Sequence, residues 1–132
     1  MAPPSPTGCK VLLVEDDLTI AAELARRITA MGHTVTSTAT SRDEMIDACE
    51  VTRPDVVLMD IGIRGPVDGI VAAYELFERY GLRVIYLTGD ADVSSMERAK
   101  ATRPYAYLLK PVSAAELRGA IEIARFAQTN TS

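Results

Sequence analysis

A short apolar run that ends in a carboxylate constrains the fold of this chain more than any other feature. Val56–Met59 contains four apolar residues in succession, Asp60 follows directly, and a loop rich in glycine and proline continues to Gly69. An uninterrupted run of this kind is typical of a parallel strand buried on both faces. In open parallel sheets, ligands bind beyond the carboxyl ends of the strands, so Asp60 is placed like a functional residue. The alternative is a loop aspartate that caps the following helix.

Three further apolar runs end in polar residues suited to the same site. They are Val11–Val14 before Glu15 and Asp16, Val84–Leu87 before Thr88, and Tyr105–Leu109 before Lys110. A weaker alternating segment, His33–Thr38, suits a short edge strand. Because the carboxyl ends of parallel strands meet at one edge of a sheet, these polar residues are expected to converge.

Amphipathic segments separate the runs and predict five helices. Their apolar stripes are Ile20, Leu24, Ile28 and Met31; Met45, Ala48 and Cys49; Ile70, Ala73, Tyr74 and Phe77; Val93 and Met96; and Leu117, Ala120, Ile121 and Ala124. The third helix is predicted to begin near Val67. Five alternations of strand and helix predict an α/β fold, a doubly wound five-stranded parallel sheet with helices on both faces.

Length and charge place the chain among single-domain globular proteins. Its 132 residues are the size of one domain, and 48% of them are hydrophobic. A formal net charge of −4 argues against a general binder of nucleic acid or anionic membranes. No apolar run approaches the roughly 18 residues of a membrane span. Residues 1–9 are expected to form a flexible leader, residues 10–128 the domain, and residues 129–132 a polar tail.

The cysteines and the histidine form no metal or redox motif. Cys9 and Cys49 fit no ligand spacing or disulfide framework, which favours two reduced thiols in a cytoplasmic protein. His33 is the only histidine and is expected to be a surface residue. Without a second histidine, a histidine-based relay has no support.

The expected convergence of Glu15, Asp16 and Asp60 predicts a cation site. Three carboxylates in one crevice repel each other unless a cation lies among them, and oxygen-rich sites suit Mg²⁺. A divalent ion can neutralise an incoming phosphate, which leaves a carboxylate free to act as a nucleophile. Lys110 would supply a positive charge to one phosphoryl oxygen and Thr88 a hydrogen bond to another. Taken singly, each residue could also be a solvated loop side chain.

Together these motifs resemble the receiver domain of a two-component response regulator. The motifs are V-L-L-V-E-D-D, V-V-L-M-D-I, the downstream D-G-I, Y-L-T-G and Y-L-L-K-P, in that family's order and at about its spacing. The resemblance covers Lys10 to Gln128 and implies a flavodoxin-like strand order of 2-1-3-4-5. Each motif alone is weak, whereas their combination is specific.

The resemblance implies a role for each acidic residue. Asp60 matches the phosphoacceptor, which takes a phosphoryl group from a histidine of a sensor kinase or of a phosphotransfer protein. Glu15 and Asp16 match the acidic pair that holds Mg²⁺ together with Asp60 and the backbone carbonyl of Gly62. Mn²⁺ is expected to substitute for Mg²⁺.

The resemblance also implies a switch at the neighbouring strand ends. Lys110 matches the lysine of the phosphate site, and its bond to Pro111 is expected to be cis. Thr88 matches the hydroxyl that moves toward the phosphoryl group. Tyr107 matches the switch aromatic three residues before the lysine, with ordinary packing as the alternative. Asp90 lies where side chains of the family influence the rate of phosphate hydrolysis.

The loop after Asp60 departs from the commonest receivers. The segment Ile61–Asp68 is one residue longer before the D-G pair, and Arg64 stands about where those receivers place a proline. The departure affects the expected shape of the loop and its kinase contacts rather than the acceptor. Glu15 stands where the commonest acidic pair has an aspartate, so one side chain that reaches toward the ion is longer.

The implied function is a phosphorylation switch. Phosphorylation would reshape the face built from the fourth helix, the fifth strand and the fifth helix, and a downstream protein or a second copy of the chain would bind there. No direct contact with nucleic acid and no membrane insertion are expected. The Pro-rich start and the polar end favour a stand-alone receiver over a fragment of a larger regulator or hybrid kinase.

Two functions from other classes fit the same sheet. One is a small Mg²⁺-dependent phosphohydrolase with an aspartyl nucleophile, although Gly62 occupies the position where such enzymes usually have a second acidic residue. The other is a flavodoxin-like flavin binder. That function needs a phosphate-cradling loop after the first strand, where this chain has Glu15, Asp16 and Asp17 instead.

Overall fold

Five strands and five helices alternate along the part of the chain that the computed structural model describes, residues 8–63, 65, 67–89 and 93–129. The strands are β1 (Lys10–Val14), β2 (Thr34–Ala39), β3 (Val56–Asp60), β4 (Val84–Thr88) and β5 (Ala106–Leu109). The helices are α1 (Leu18–Ala30), α2 (Arg42–Val51), α3 (Gly69–Tyr80), α4 (Val93–Lys100) and α5 (Ala114–Thr129). Most of the expected leader and tail, together with Arg64 and Asp90, lies outside the described residues.

All strand pairs are parallel, and the strand order is β2-β1-β3-β4-β5. The predicted fold class and strand order are therefore confirmed, including the position of β2 at an edge. Every residue of β3 and of β4 is buried. Uninterrupted apolar runs form these central strands because both of their faces are covered by helices.

The helices form two layers around the sheet. One apolar core contains residues of α1 and α5, including Leu24 and Ile121, and the other contains residues of α2, α3 and α4, including Cys49. Val57 and Met59 of β3 face the second core, while Val56 and Leu58 face the first. Cys49 is buried, as the apolar stripe predicts. Among the described residues, no helix combines the length and the apolar character that a membrane span requires.

Side-chain caps fix the starts of two helices that border the strand ends. Asp68 is the N-cap of α3, and its Oδ1 accepts the N–H groups of Ile70 and Val71, both at 3.0 Å. The helix therefore begins at Gly69, two residues after the predicted start. At α5 the capping box is reciprocal, because Ser113 Oγ accepts from Glu116 N–H while the Glu116 carboxylate accepts from Ser113 N–H.

Three residues predicted to face the core are exposed instead. Val93 of α4 is 75% exposed, Met96 is also exposed, and Ala99 is the buried residue of that helix. In α3, Tyr74 is about half exposed, because Leu76 and smaller residues beside it form the buried stripe. A helix of two turns with two large apolar residues does not determine its own rotation, so contacts with the sheet decide which side is buried.

His33 is also buried, although the sequence predicts a surface position. It is 6% exposed, and its Nδ1 accepts the N–H of Cys9 at 3.1 Å. The packed structure thus already includes Cys9, ahead of the domain start expected at Lys10. Accepting at Nδ1 requires the neutral ring. Burial and the positive charge of Arg125 lower the pKa of His33 below its usual value of 6.5, although Glu122 opposes this shift.

We expect the stability of the protein to fall as the pH drops below about 6.5. The unfolded histidine takes up a proton there while the folded one does not. The unfolded state therefore binds more protons and is stabilised relative to the folded state. The loss should level off once the pH is below the folded pKa. Urea unfolding between pH 5 and pH 8 measures it. The variant His33→Asn keeps an acceptor and does not titrate. If its pH profile matches that of the wild type, this account of His33 is wrong.

Candidate functional site

Four strand ends bring the predicted site residues to one edge of the sheet. Glu15 and Asp16 follow β1, Asp60 ends β3, Thr88 ends β4, and Lys110 follows β5. Glu15 is 2% exposed, Asp60 is 8% exposed and Thr88 is buried. The carboxyl ends of parallel strands thus place these residues at one end of the sheet, and the structure brings Glu15, Asp16, Asp60 and Lys110 into contact distance.

Lys110 brings a positive charge to these carboxylates. Its Nζ lies 2.9 Å from Glu15 Oε1 and 3.6 Å from Asp60 Oδ2. Burial lowers the pKa of Lys110, but the hydrogen bond to Glu15 and the charge of Asp60 outweigh burial and raise it overall. Burial raises the pKa of Glu15, which the hydrogen bond from Lys110 opposes. Lys110 therefore stays charged at neutral pH and balances two carboxylates.

The three carboxylates also fit a divalent cation. Glu15, Asp16 and Asp60 each offer one oxygen, and these oxygens lie within 4.8 Å of one another. An anionic donor set made of oxygen alone is the kind that hard cations such as Mg²⁺ prefer. Glu15 has other contacts as well, since its Oε1 accepts from Lys110 and its Oε2 accepts the N–H of Asp17 at 3.1 Å.

The turn after Asp60 is closed by Gly69, a residue whose physical role the sequence did not reveal. The N–H of Gly69 donates to the Ile61 carbonyl at 2.7 Å, and the N–H of Gly62 donates to Asp60 Oδ1 at 3.2 Å. A Cβ atom on Gly69 would lie 2.3 Å from the Asp60 carbonyl oxygen. Glycine is needed here because two backbone segments touch. The D-G pair before an apolar helical stripe is the signal that could have indicated it.

Thr88 and Tyr107 occupy the adjacent strands β4 and β5. The Lys110 N–H donates to the Thr88 carbonyl at 2.8 Å, which ties the two strand ends together. The predicted cis bond between Lys110 and Pro111 is present. Tyr107 lies directly opposite Tyr86 across the strand pair, and the ring centroids are 5.9 Å apart.

Tyr86 connects the ends of β4 and β5 to α4, and sequence reasoning missed it. Its buried hydroxyl lies 2.7 Å from Thr102 Oγ1, which donates to the Ala99 carbonyl of α4 at 2.7 Å. Since the single proton of Thr102 is used there, Tyr86 donates to Thr102. Burial raises the pKa of Tyr86 to about 12, so its hydroxyl keeps this proton. The alternation of β4, which places Tyr86 and Thr88 on one face, is the signal that could have found it.

An ion pair links α4 to the loop that follows Asp60. Arg98 Nη2 lies 3.0 Å from Oδ2 of Asp68, the N-cap of α3. Asp68 precedes Gly69, which touches the Asp60 backbone. The start of α3, the turn after Asp60 and α4 are thus in continuous contact.

Comparison with known proteins identifies the family. The sequence model of the response regulator receiver domain matches residues 11–122. The chain therefore belongs to the response regulator receiver domain family, the receiver modules of two-component systems. This finding confirms the resemblance drawn from the motifs and favours the signalling function over the phosphohydrolase and flavin-binding alternatives.

Individual relatives agree with this assignment. The transcriptional regulatory protein PdtaR of Mycobacterium tuberculosis is 33% identical over 115 residues, which are 87% of this chain and 56% of that protein. The phyllosphere-induced regulator PhyR of Methylorubrum extorquens is 28% identical over 120 residues, 90% of this chain and 44% of that protein. The chain thus spans about half the length of these curated relatives.

A solved receiver has nearly the same fold. The crystal structure of the signal receiver domain of a modulated diguanylate cyclase from Desulfovibrio desulfuricans superposes with a TM-score of 0.86 at 34% identity. The superposition covers 92% of this chain and 97% of that domain. A CheY-like receiver from Methanospirillum hungatei, 23% identical, has a TM-score of 0.84 and covers 95% of this chain and 100% of that one.

Proposed function

We propose that Asp60 accepts a phosphoryl group from a phosphohistidine of a sensor kinase or phosphotransfer protein, and that the chain acts as a phosphorylation switch. One observation carries the proposal. The Asp60 carboxylate lies beside the Glu15 and Asp16 carboxylates and 3.6 Å from the ammonium group of Lys110.

The transfer needs one nucleophilic oxygen and a way to balance charge. An Asp60 carboxylate oxygen attacks phosphorus, the phosphorus–nitrogen bond breaks, and its electron pair returns to the donor imidazole, so that an acyl phosphate forms on Asp60. Asp60 Oδ1 accepts from the Gly62 N–H. Oδ2 lies on the side of Lys110, where a phosphoryl oxygen would meet a positive charge.

Glu15, Asp16, Asp60 and the Gly62 carbonyl would hold Mg²⁺, with Mn²⁺ as a substitute. The bound ion supplies positive charge that offsets the repulsion between the carboxylates and the incoming phosphate. The all-oxygen donor set supports this assignment. Lys110 and the ion would then both neutralise the carboxylates, which would leave Lys110 able to pair with the phosphoryl group.

The signal would leave the site through Thr88 and Tyr107. Thr88 ends the strand next to β3, and a shift of its hydroxyl toward the phosphoryl group would open space on the face that Tyr107 shares with Tyr86. A repacked Tyr107 changes the surface of β5 and α4. Asp90 is proposed to tune the lifetime of the phosphate.

The receiving partner is proposed to bind the face formed by α4, β5 and α5. Exposed apolar side chains on all three elements support this proposal, namely Val93, Met96, Leu109 and Ile123. A downstream protein or a second copy of this chain would bury them, and it must bind the two states differently for a signal to pass. The two free cysteines support a reducing, cytoplasmic location.

We expect incubation with acetyl phosphate and Mg²⁺ to add one phosphoryl group to the wild-type chain, and the Asp60→Asn variant to take up none. The asparagine amide lacks the nucleophilic carboxylate oxygen and keeps nearly the same volume. Intact-mass spectrometry measures the adduct, and hydroxylamine should remove it because an acyl phosphate is labile to that nucleophile.

Two controls make the result decisive. Chelation of divalent cations should suppress the adduct in the wild type. An adduct that persists in Asp60→Asn would place the acceptor elsewhere. Steady release of inorganic phosphate from a small phosphate ester by the wild-type chain would favour the phosphohydrolase instead.

A further inference from the structure

Three arginines lie at the amino ends of the strands, on the side of the sheet opposite to Asp60. Arg53, Arg83 and Arg103 each precede a strand, β3, β4 and β5 respectively, and these three strands are neighbours in the sheet. We propose that this arginine edge (Arg53, Arg83 and Arg103) is a docking surface for an acidic segment of a partner protein.

Aromatic rings hold all three guanidinium groups in place. Arg53 Cζ lies 4.3 Å from the centroid of Tyr80, Arg83 Cζ lies 4.3 Å from that of Tyr105, and Arg103 Cζ lies 5.9 Å from that of Phe77. Arg83 Nε also donates to the backbone carbonyl of Arg103 at 2.6 Å, so the Arg83 side chain lies against the segment that carries Arg103. Tyr80 and Phe77 are one turn apart on α3, which places Arg53 on the same surface.

Within the described ranges, no ion pair joins the arginine edge to a carboxylate, although Glu50 lies beside it and accepts from the Tyr80 hydroxyl. Six other described arginines form ion pairs with acidic side chains, namely Arg26, Arg27, Arg42, Arg79, Arg98 and Arg125. Among the residues for which the structure gives contacts, no acidic side chain pairs with Arg53, Arg83 or Arg103. Arg79, which pairs with Glu75 and Glu50, borders the surface on the α3 side.

Carboxylates suit this surface better than a nucleic acid does. The fork of N–H donors on a guanidinium group matches a carboxylate in two parallel hydrogen bonds, and an arginine held against a ring loses little freedom when it binds. A nucleic acid is a long polyanion that the net negative charge of the chain repels at a distance. A short acidic protein segment avoids most of that repulsion.

Docking here would not depend on the phosphorylation state. The arginine edge lies at the start of β3 and Asp60 at its end, roughly 15 Å apart along the strand. An acidic partner could thus hold the domain in place while the face formed by α4, β5 and α5 changes. This inference does not require the proposed phosphotransfer, and its test needs no phosphodonor.

Fluorescence anisotropy with a labelled peptide of alternating glutamate and alanine tests the proposal on the full chain. The peptide is expected to bind at low salt and to be released as the ionic strength rises. The double variant Arg53→Gln/Arg103→Gln should bind about fivefold more weakly, or worse, since two exposed ion pairs are lost. Neither side chain donates a hydrogen bond within the described structure, so the fold should be retained, which circular dichroism checks.

The control variant Arg26→Gln/Arg118→Gln removes the same charge from α1 and α5, and it should bind the peptide almost as the wild type does. If both variants bound the peptide equally weakly, the loss of affinity would follow from net charge alone, and the proposal would be wrong. The absence of peptide binding at low salt would overturn it as well. Tighter binding of a single-stranded RNA of equal length would assign the surface to nucleic acid instead.

Discussion

Replacing Gly69 by alanine is expected to destabilise the domain by about 2–3 kcal/mol, the upper range for overpacking a close contact. The added Cβ would lie 2.3 Å from the Asp60 carbonyl oxygen and 2.7 Å from the Ile61 Cα. Both atoms are backbone, so no side-chain rotation relieves the overlap and the turn after Asp60 must itself move. Urea unfolding measures the stability. The rate of phosphorylation by acetyl phosphate should fall in the same variant, because the Asp60 carboxylate moves relative to Lys110.

The matched control is the same substitution at Gly119 of α5. A Cβ there meets nothing within 4 Å, and alanine in a helix is more stable than glycine by about 0.5–1 kcal/mol. Gly119→Ala should therefore be slightly more stable than the wild type and phosphorylate at the same rate. If Gly69→Ala behaved like Gly119→Ala, the close approach of Gly69 would not constrain the turn after Asp60.

The sheet was predictable because its central strands have an unambiguous pattern. In β3 and β4 both faces are covered, so the sequence reads as apolar runs that no helical period explains. The location of the site followed from the same geometry, since parallel strands bring their carboxyl ends to one edge. The polar residues that end those runs, Glu15, Asp60, Thr88 and Lys110, were therefore predicted to converge without any knowledge of distances.

Helix orientation was not predictable where the apolar stripe was short. In α4 the sequence offers Val93 and Met96 as the core-facing pair, yet the helix is anchored by Ala99. Nearby, the Thr102 hydroxyl accepts from Tyr86 and donates to Ala99. A small residue gives no hydrophobic signal, although it permits close packing. The exposed Val93 and Met96 then belong to the face on which a partner is proposed to bind.

Contacts between distant parts of the chain account for the other differences. His33 appeared to be a surface residue because its partner, Cys9, is 24 residues away and precedes the expected start of the domain. The ion pair between Arg98 and Asp68 joins positions 30 residues apart. Such pairs leave no periodic signal in one sequence, and they are formed only when the sheet has brought the elements together.

Replacing Lys110 by methionine is expected to lower the free energy of unfolding by about 3 kcal/mol when no divalent cation is present. Methionine keeps most of the volume and removes the charge. Glu15, which is 2% exposed, would lose its counter-ion while Asp16 and Asp60 remain close to it. The cost is that of a buried carboxylate without a partner, together with repulsion in the cluster. Thermal unfolding in the presence of a chelator measures it.

The response to Mg²⁺ then shows whether a bound cation can replace the charge of Lys110 among the carboxylates. A divalent ion bound by Glu15, Asp16 and Asp60 replaces the charge lost with Lys110, so Mg²⁺ should raise the melting temperature of Lys110→Met more than that of the wild type. The control Lys100→Met removes an exposed lysine that pairs with Glu97, and its response should equal the wild-type response. If Mg²⁺ shifted all three proteins alike, the ion would bind away from the carboxylate cluster, and the proposed metal ligands would be wrong.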